Sequence, residues 1–550
     1  MKWEFKSKNE LKEKNPTLIL DYLLDLRGIP NKDSFLLPTP EHIHDPFKLD
    51  CVREASEFII SALEKKQRIM IYGDYDADGI SAVSLLYIIL KKLNADVEFY
   101  LPNRMEEGYG LNKDAISQIK KKGTNLIITV DCGINASSEI EYTKKLGMDI
   151  IVTDHHVPER KTPCEIVINP KLSRNYPYPD LSGVGVAFKL CEGIEKISNL
   201  SRNFLLWNLD LVALGTVSDV MPLNGENRVL TSLGLKIMNE RRRPGINCIL
   251  NLAGHKGEIK AHHIGFIIGP RINALGRLDE ATCAVELLTT YNKRKAKMIA
   301  LKLEDYNNER RNIQAEIYKN VVNIIESSDI KIREYGIVLS NPVWHEGVIG
   351  IVAAKITEEY LIPTILISEK GDICKGSGRS IPDIDIMKIL EGCKDNLEDY
   401  GGHPMACGIK IKKENIKEFS HLFKNLINSK FKKVNFEYKL SVDFPLSIEK
   451  VNKELIKKIN ELAPYGVGNP EPIFATFNTE VVGEPSLAKN KHLKFTVRYG
   501  DKFIPVIAFS QGERANSIKR NSKLDIAYTP IMDNWSKKPI LKIHDFRVHK

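Results

Sequence analysis

No apolar run in this 550-residue chain approaches the roughly 18 residues that a helical membrane span requires, which excludes transporters and receptors built on such spans. No Cys-x-x-Cys pair occurs. The nine cysteines stand apart and in odd number, which argues against a disulfide framework or zinc spacing and fits the reduced thiols of a cytosolic protein. The opening MKWEFKSKNE lacks the apolar stretch of a secretory signal, so a soluble, cytoplasmic protein is expected. Repeats and low-complexity tracts are also missing. Neither charge dominates strongly. The formal net charge of +9 and pI near 8.8 are compatible with a polyanionic partner, but many enzymes without one share them. Apolar material is ample: 43% hydrophobic and 27% charged residues suit a chain of about three or four domains, each with a real core.

Residues 67–156 alternate strand and helix patterns. QRIMIY, ADVEFYL, NLIITV and DIIVT read as strands, with ISAVSLLYIILKKL, NKDAISQIKKK and ASSEIEYTKKL as helices between them. Such alternation predicts right-handed crossovers and a parallel sheet. From Asp279 to about Ser327 a charged helical run contains no Pro or Gly and reads as a connector between domains. A second α/β unit follows, with the Gly-rich loops KGSGRS and GGHPMACG. After about residue 432, short β-type runs separated by turns predict a small barrel.

The sharpest feature is Gly73-Asp74-Tyr75-Asp76-Ala77-Asp78-Gly79, directly after a strand and before a helix. Three carboxylates this close repel one another unless a cation neutralises them. A calcium loop of the EF-hand kind is rejected, because its closing Glu position is Leu85 and a strand precedes the loop. Two further strands end alike, one in Asp131-Cys132-Gly133 and one in Asp154-His155-His156. Ligands of open parallel sheets bind outside the carboxyl ends of the strands, so these groups should meet at one rim. Alone, Asp131 would be a helix cap and the His pair structural; their joint occurrence favours a site. Asp219, in Gly-Thr-Val-Ser-Asp-Val, closes an apolar helical stretch and needs a partner there. Carboxylates with imidazole and no thiolate spacing favour Mn2+ or Mg2+ over structural zinc. Two such ions about 3.5–4 Å apart suit displacement at phosphorus.

With these motifs in view, the chain resembles the DHH phosphoesterase superfamily and, within it, the RecJ single-strand exonucleases. GDYDADG, DCG, DHH and GTVSDVMPL stand in order, followed by IGPRINALGRL, YNNERRNIQ, WHEGVIGIVAAK, GSGRS and GGHPMACG, and ELAPYGVGNPEPIF looks like the start of the RecJ barrel. The resemblance implies that Asp76 and Asp78 each hold one metal, that Asp131 bridges both, and that His155 and Asp219 complete the second metal's shell. Asp74 would ligate or orient, Asp154 would lie behind the histidines, and His156 would face the scissile phosphate. Ser377, Arg379 and Arg104 resemble a pocket for a 5′-terminal phosphate, to which planar arginine forks and Gly-flanked backbone are suited. His403 resembles a phosphate contact opposite the metals; it and His345 could instead tether their loops. Arg271, Asn273 and Arg277 look like nucleic-acid backbone contacts, while His262 and His263 read as structural. One departure from the wider superfamily is Tyr72, where relatives such as the manganese pyrophosphatases place a His. RecJ-like sequences share it, but it leaves the first metal's ligand set open.

The fold class expected is α/β, with five parts. An N-terminal extension, 1–60, packs on a parallel-sheet DHH catalytic domain, 61–278. A long helix, 279–327, leads to a DHH-associated domain, 328–431, and an OB-type barrel, 432–550, follows. Phe495, Tyr499, Phe503, Phe509, Tyr528 and Trp535 are available in the barrel, most as core and about two to stack bases. The implied activity is 5′-to-3′ exonuclease action on single-stranded DNA, releasing 5′-mononucleotides with two Mn2+ or Mg2+ ions in DNA repair and recombination. A repair helicase and a single-strand-binding protein are the expected partners. A same-fold enzyme acting on very short RNA or cyclic dinucleotides is the nearest rival, disfavoured by the barrel and connector. A non-catalytic relative that has lost its metal ligands is disfavoured because every acidic and histidine position is filled.

Overall fold

In the computed structural model of the chain, the described residues are all except 12, 104–106, 109, 279–280, 328–335, 432–437, 490, 534 and 550. The side chains of residues 277, 278, 430 and 431 also fall outside the description. The β-branched runs Ile69–Gly73 and Leu126–Val130 become strands buried along their whole length, as a sheet covered on both faces demands. With Val97–Tyr100, Asp149–Thr153 and Ile166–Ile168 they form a five-stranded, all-parallel sheet. Val97–Tyr100 flanks Ile69–Gly73 on one side and Leu126–Val130 flanks it on the other, so the winding direction reverses between the first and third strands. A crevice opens at such a reversal, beyond the carboxyl ends. Both strands that border it lead into acidic motifs.

One face of the sheet carries the helices Ala77–Lys92, Gly183–Ile197 and Leu209–Ser218 in the largest core. The other is covered by the short helices Lys113–Lys121 and Ser137–Lys145. The charged run expected as one helix over 279–327 is in fact broken. Thr282–Thr289 packs into the first core, and a separate 35-residue helix starts at Lys293. The break lies at Asn292, whose side-chain oxygen caps the N–H groups of Arg294 (3.0 Å) and Lys295 (3.1 Å). The long helix spans about 50 Å. Ala296, Ala300 and Leu303 near its start belong to the first core, and Ile317, Val321 and Ile325 near its end to that of the second unit. This second unit is a five-stranded sheet ordered Asp399–His403, Ala406–Lys412, Ile373–Arg379, Thr364–Ser368, Ile337–Asn341. The helix Glu346–Tyr360 covers one face of it.

At the C-terminal end, Phe474–Ala488, His492–Tyr499, Lys502–Ala508, Pro539–Val548 and Lys523–Met532 pair in that order, and the last pairs back onto the first. The result is the closed five-stranded barrel expected. The placement of residues 1–60 against the catalytic unit needs correction. Lys2–Phe5 runs parallel to Lys439–Val442, and Ile19, Leu20, Leu23 and Leu24 of the helix Pro16–Leu26 enter the barrel core. Only the later part, around the helix Val52–Glu64, packs on the parallel sheet's core. The apolar stripe of Pro16–Leu26 finds its match in Leu455, Ile456 and Ile459, a partnership between distant segments that local pattern does not reveal.

Arg228, on the helix Gly225–Asn239, fastens the barrel to the catalytic unit. It is buried, donates to the carbonyls of Phe35 (2.8 Å), Leu462 (2.8 Å) and Ala463 (2.9 Å), and stacks 3.6 Å from the Phe35 ring centroid. Replacing it by Met leaves those carbonyls without a donor. Arg228→Met is therefore expected to destabilise the protein by about 3 kcal/mol or more, read as a lower midpoint in chemical denaturation. An unchanged midpoint would show that the clamp contributes nothing.

Candidate metal centre

Each acidic motif is shaped by its own local hydrogen bonds. Asp76 caps the helix Ala77–Lys92, its Oδ1 accepting from the N–H groups of Asp78 (2.8 Å) and Gly79 (3.0 Å). Asp78 accepts from the N–H groups of Gly183 (2.7 Å) and Val184 (3.0 Å). These two N–H groups open the helix Gly183–Ile197, whose positive end favours a carboxylate there. Asp131 adopts a left-handed backbone, φ +61°, uncommon for a non-glycine residue. Asp154 accepts from the N–H groups of His155 (2.7 Å), His156 (3.1 Å) and Ile134 (2.9 Å), and pairs with Nδ1 of His156 at 2.7 Å. Asp219 closes the helix Leu209–Ser218. His155 Nε2 then lies 3.2 Å from an Asp131 oxygen and 3.6 Å from one of Asp219.

These side chains form three overlapping groups, each with its donor atoms within 4.8 Å of one another. Asp74, Asp76 and Asp131 make one, Asp78, His155 and Asp219 a second, and Asp131, His155 and His156 a third. Asp131 and His155 each serve in two groups. All six residues expected as metal ligands are thus gathered, with Asp131 shared between the first and third groups and His155 between the second and third.

The electrostatics explain what the cluster needs. Burial, then the charges of Asp219 and Asp76, raise the Asp78 carboxyl well above its usual range. Burial raises Asp131 likewise, helped by Asp78, Asp76 and Asp74. Asp219 is pushed up to about 7 by burial and Asp76. Burial and the neighbouring His156 lower His155 to about 3, so it is a neutral imidazole able to donate a lone pair. Burial opposes a charge on His156, but the hydrogen bond and charge of Asp154 outweigh it and raise its pKa. Carboxyl groups whose ionisation is opposed by burial and by one another, beside a neutral imidazole, form an oxygen-rich donor set that fits hard divalent cations such as Mn2+ or Mg2+.

Three glycines leave room for this arrangement, and sequence reasoning missed their role. A Cβ on Gly183 would lie 2.3 Å from Asp131 Oδ1, one on Gly215 2.3 Å from Asp78 Oδ1, and one on Gly79 2.6 Å from the Asp74 carbonyl. Lys171 was also missed: its ammonium donates to the His155 carbonyl and its charge lowers the Asp219 pKa. A lone Lys in NPKLS carries no signal of this.

Across the cleft, register sets Arg379 opposite Ala406, which in turn lies opposite His403, so both side chains belong to one rim of the second sheet. Arg379 donates to Ser377 Oγ (3.2 Å) and to the Gly378 carbonyl (2.7 Å). Ser377 and Arg379 line a cavity of about 620 Å³ together with Lys375 and Lys410. A second cavity, about 590 Å³, is lined jointly by Asp154 and His156 from the first unit and Gly402 and His403 from the second. His345 tethers its loop, capping the helix Glu346–Tyr360 through the Gly347 N–H at 3.1 Å. Arg104 and the side chain of Arg277 lie outside the described residues.

Two residues expected to contact nucleic acid are engaged within the protein itself. Arg271 forms a two-pronged ion pair with Glu304 of the long helix, at 2.5 and 3.1 Å, and is largely buried. Asn273 accepts from the Ala77 N–H at 2.7 Å and so props up the carboxylate loop. Both act on the protein's own frame, because a short helix wedged between loop and connector must satisfy the polar groups around it. Among the barrel aromatics, Phe495 and Tyr528 are core, Tyr499 packs partly against it, and Phe503, Phe509 and Trp535 are exposed.

The chain matches three family descriptions in succession: the DHH family N-terminal domain over residues 68–216, the DHHA1 domain over 334–429 and the RecJ OB domain over 442–544. It is 34% identical over 565 residues to the single-stranded-DNA-specific exonuclease RecJ of Bacillus subtilis, covering 100% of this chain and 71% of that protein. Among solved structures it is similar to RecJ of Thermus thermophilus in complex with Mn2+, with TM-score 0.85 and 28% identity over 100% of this chain and 80% of that one. The Mg2+ complex of the same protein gives TM-score 0.79 and 27% identity, over 100% of this chain and 79% of the other.

Raised carboxyl pKa values have a thermodynamic consequence with a definite sign. Between the unfolded value near 4 and the folded value of about 7 for Asp219, the native state binds more protons than the unfolded chain. Stability of the metal-free protein therefore falls as pH rises through that window, and Asp78 and Asp131 add to the trend. A divalent ion replaces those protons, so the gain in Tm on adding Mn2+ should be larger at about pH 8 than at about pH 5.5. Thermal melts with Mn2+ and with chelator, at both pH values, check this; a gain independent of pH contradicts it.

Proposed function

The chain belongs to the family of RecJ single-stranded-DNA-specific exonucleases, and on that premise we propose that it hydrolyses single-stranded DNA from the 5′ end, releasing 5′-mononucleotides with the aid of two Mn2+ or Mg2+ ions. The observation that carries this reading is the sharing of Asp131 and His155 between adjoining donor groups at the carboxyl rim of the parallel sheet. Asp74, Asp76 and Asp131 would hold one ion, and Asp78, His155 and Asp219 the other, with Asp131 common to both. Such ions supply Lewis acidity, lowering the pKa of water and offsetting charge at phosphorus.

The protein's own side chains do the rest. Asp154 grips His156 through Nδ1 and favours its protonated form, leaving the other ring nitrogen to donate to a phosphate oxygen. Lys171 steadies the His155 backbone. On the facing rim, Ser377 and Arg379 receive the 5′-terminal phosphate and His403 contacts the scissile one, with Arg104 contributing as the family resemblance implies. A pocket for the terminal phosphate fixes polarity: the strand enters 5′ end first. Single-strand preference would come, as the family resemblance implies, from a cleft too narrow for a duplex, and Phe503, Phe509 and Trp535 offer stacking surfaces on the barrel. Within the cytoplasm the enzyme would act in DNA repair and recombination, on strands opened by a repair helicase and covered by a single-strand-binding protein.

The test uses a single strand, a duplex and a dinucleotide, labelled at the 5′ end, in Mn2+. Rapid release of labelled mononucleotide from the single strand is expected; loss of the dinucleotide alone, or tight binding without cleavage, would sink the reading. Asp131→Ala should lower kcat by more than about 100-fold, since loss of a ligand exceeds the usual cost of disturbing its support, while the fold survives by circular dichroism. Near-normal turnover in saturating Mn2+ would contradict the bridging role. Arg379→Ala should reduce the preference for a 5′-phosphorylated end by about 1.5–3 kcal/mol. Equal rates on phosphorylated and hydroxyl ends in both proteins would remove the phosphate pocket.

A further inference from the structure

Phe266 is 81% exposed, an unusual state for a phenylalanine on a helix packed against a catalytic core. It lies in the π-turn Ile264–Ile268, set between the short helix Ala261–His263 and the helix Gly269–Leu278. A π-turn inserts one residue per turn and often re-aims side chains at functional sites. Here the wide turn keeps positions 262, 266 and 270 in one row. The adjacent face of the same segment is fixed against the metal centre. Gly269 approaches the Ser218 hydroxyl so closely that a Cβ would lie 2.6 Å from it, and Gly265 faces Val217. Ser218 immediately precedes Asp219. One turn after Gly269, Asn273 supports the carboxylate loop at Ala77. At the other end of the row, His262 feels the charges of Glu471 and Lys542 on the barrel. The Leu223 N–H, just after Asp219, donates to the barrel's Val467 carbonyl at 2.7 Å. Phe266 therefore occupies the ground between the metal centre and the barrel.

We propose that Phe266 is a stacking platform for a nucleobase of the single strand, on the stretch that runs from the metal centre to the barrel. The proposal rests on the nuclease reading above and assigns one residue of the strand's path. A nucleobase suits the observation better than a protein partner does. The neighbours of Phe266 in its row are His262, whose ring lies against that of His263 at 3.8 Å between centroids, and Pro270, so flat rings and no aliphatic row flank it. Lys260, 3.9 Å from Glu258, and Arg241, which donates to the Gly257 carbonyl at 2.8 Å, both bring positive charge near His263 and would serve the backbone phosphates. An exposed planar ring with cations in its neighbourhood is what a single strand needs, and every base offers a face to it.

Steady-state kinetics on a thymidine strand of about 20 nucleotides in Mn2+ test this. Phe266→Ala should raise KM by about ten-fold, with the loss falling on KM more than on kcat, and Phe266→Trp should stay near wild type. Indole fluorescence of Phe266→Trp, compared with wild type, should be quenched when the strand binds. Thermal melts of both variants should match wild type, because removal of an exposed ring opens no cavity. Full turnover by Phe266→Ala with unchanged KM, or a Trp variant as impaired as the Ala one, overturns the stacking role and leaves the nuclease reading intact. Wild-type protein that leaves single strands uncut overturns that reading, and this inference with it.

Discussion

Carboxylates crowded at the end of one sheet repel one another, and most of what is unusual in this chain answers that repulsion. Asp78 is stabilised by the start of the helix Gly183–Ile197, Asp76 by the start of its own helix, and Asp154 by backbone N–H groups together with His156. Asp131 faces its acidic neighbours from a left-handed backbone. Strain and mutual repulsion are concentrated at the same few atoms. That combination is ill-suited to a protein without cations and well suited to one that binds two of them, because the ions remove the repulsion that the fold leaves standing.

The second requirement is distance. Phosphate-binding side chains on one sheet are useful to a metal centre on another only if their separation is held. The 35-residue helix does this by belonging to both cores, with Ala300 and Leu303 buried at one end and Val321 and Ile325 at the other. The Arg271–Glu304 pair ties that helix to the segment carrying Asn273, and Asn273 holds the carboxylate loop. A displacement of the helix would thus reach both the loop and the far rim. Rigid support of this sort matters where a shift of one ångström alters reactivity.

Much of this was legible in the residues themselves. Alternating strands and helices pointed to the parallel sheet, the motifs after its strands to Asp74, Asp76, Asp78, Asp131 and His155, and the end of an apolar helical stretch to Asp219, because chemistry restricts both residue type and position there. What escaped acts through space. Gly183 and Gly215 matter for an absent Cβ, Lys171 for one donor reaching a carbonyl, and Arg271 for a partner 33 residues away. Neither spacing nor composition distinguishes an arginine that grips a phosphate from one that grips a glutamate. The break at Asn292 was hidden for a similar reason: a charged run without Pro or Gly conceals a cap that needs only one side-chain orientation.

The strand Lys2–Phe5 and the helix Pro16–Leu26 are completed only by residues beyond 438, in the barrel. During translation, at about 5–20 residues per second, the segment 2–26 waits on the order of a minute for these partners, while the catalytic sheet and its helices are made in between. In that interval the apolar face of Pro16–Leu26 has no native surface to cover it. Nascent chains stalled before the barrel would carry this uncovered face as a natural handle for chaperones.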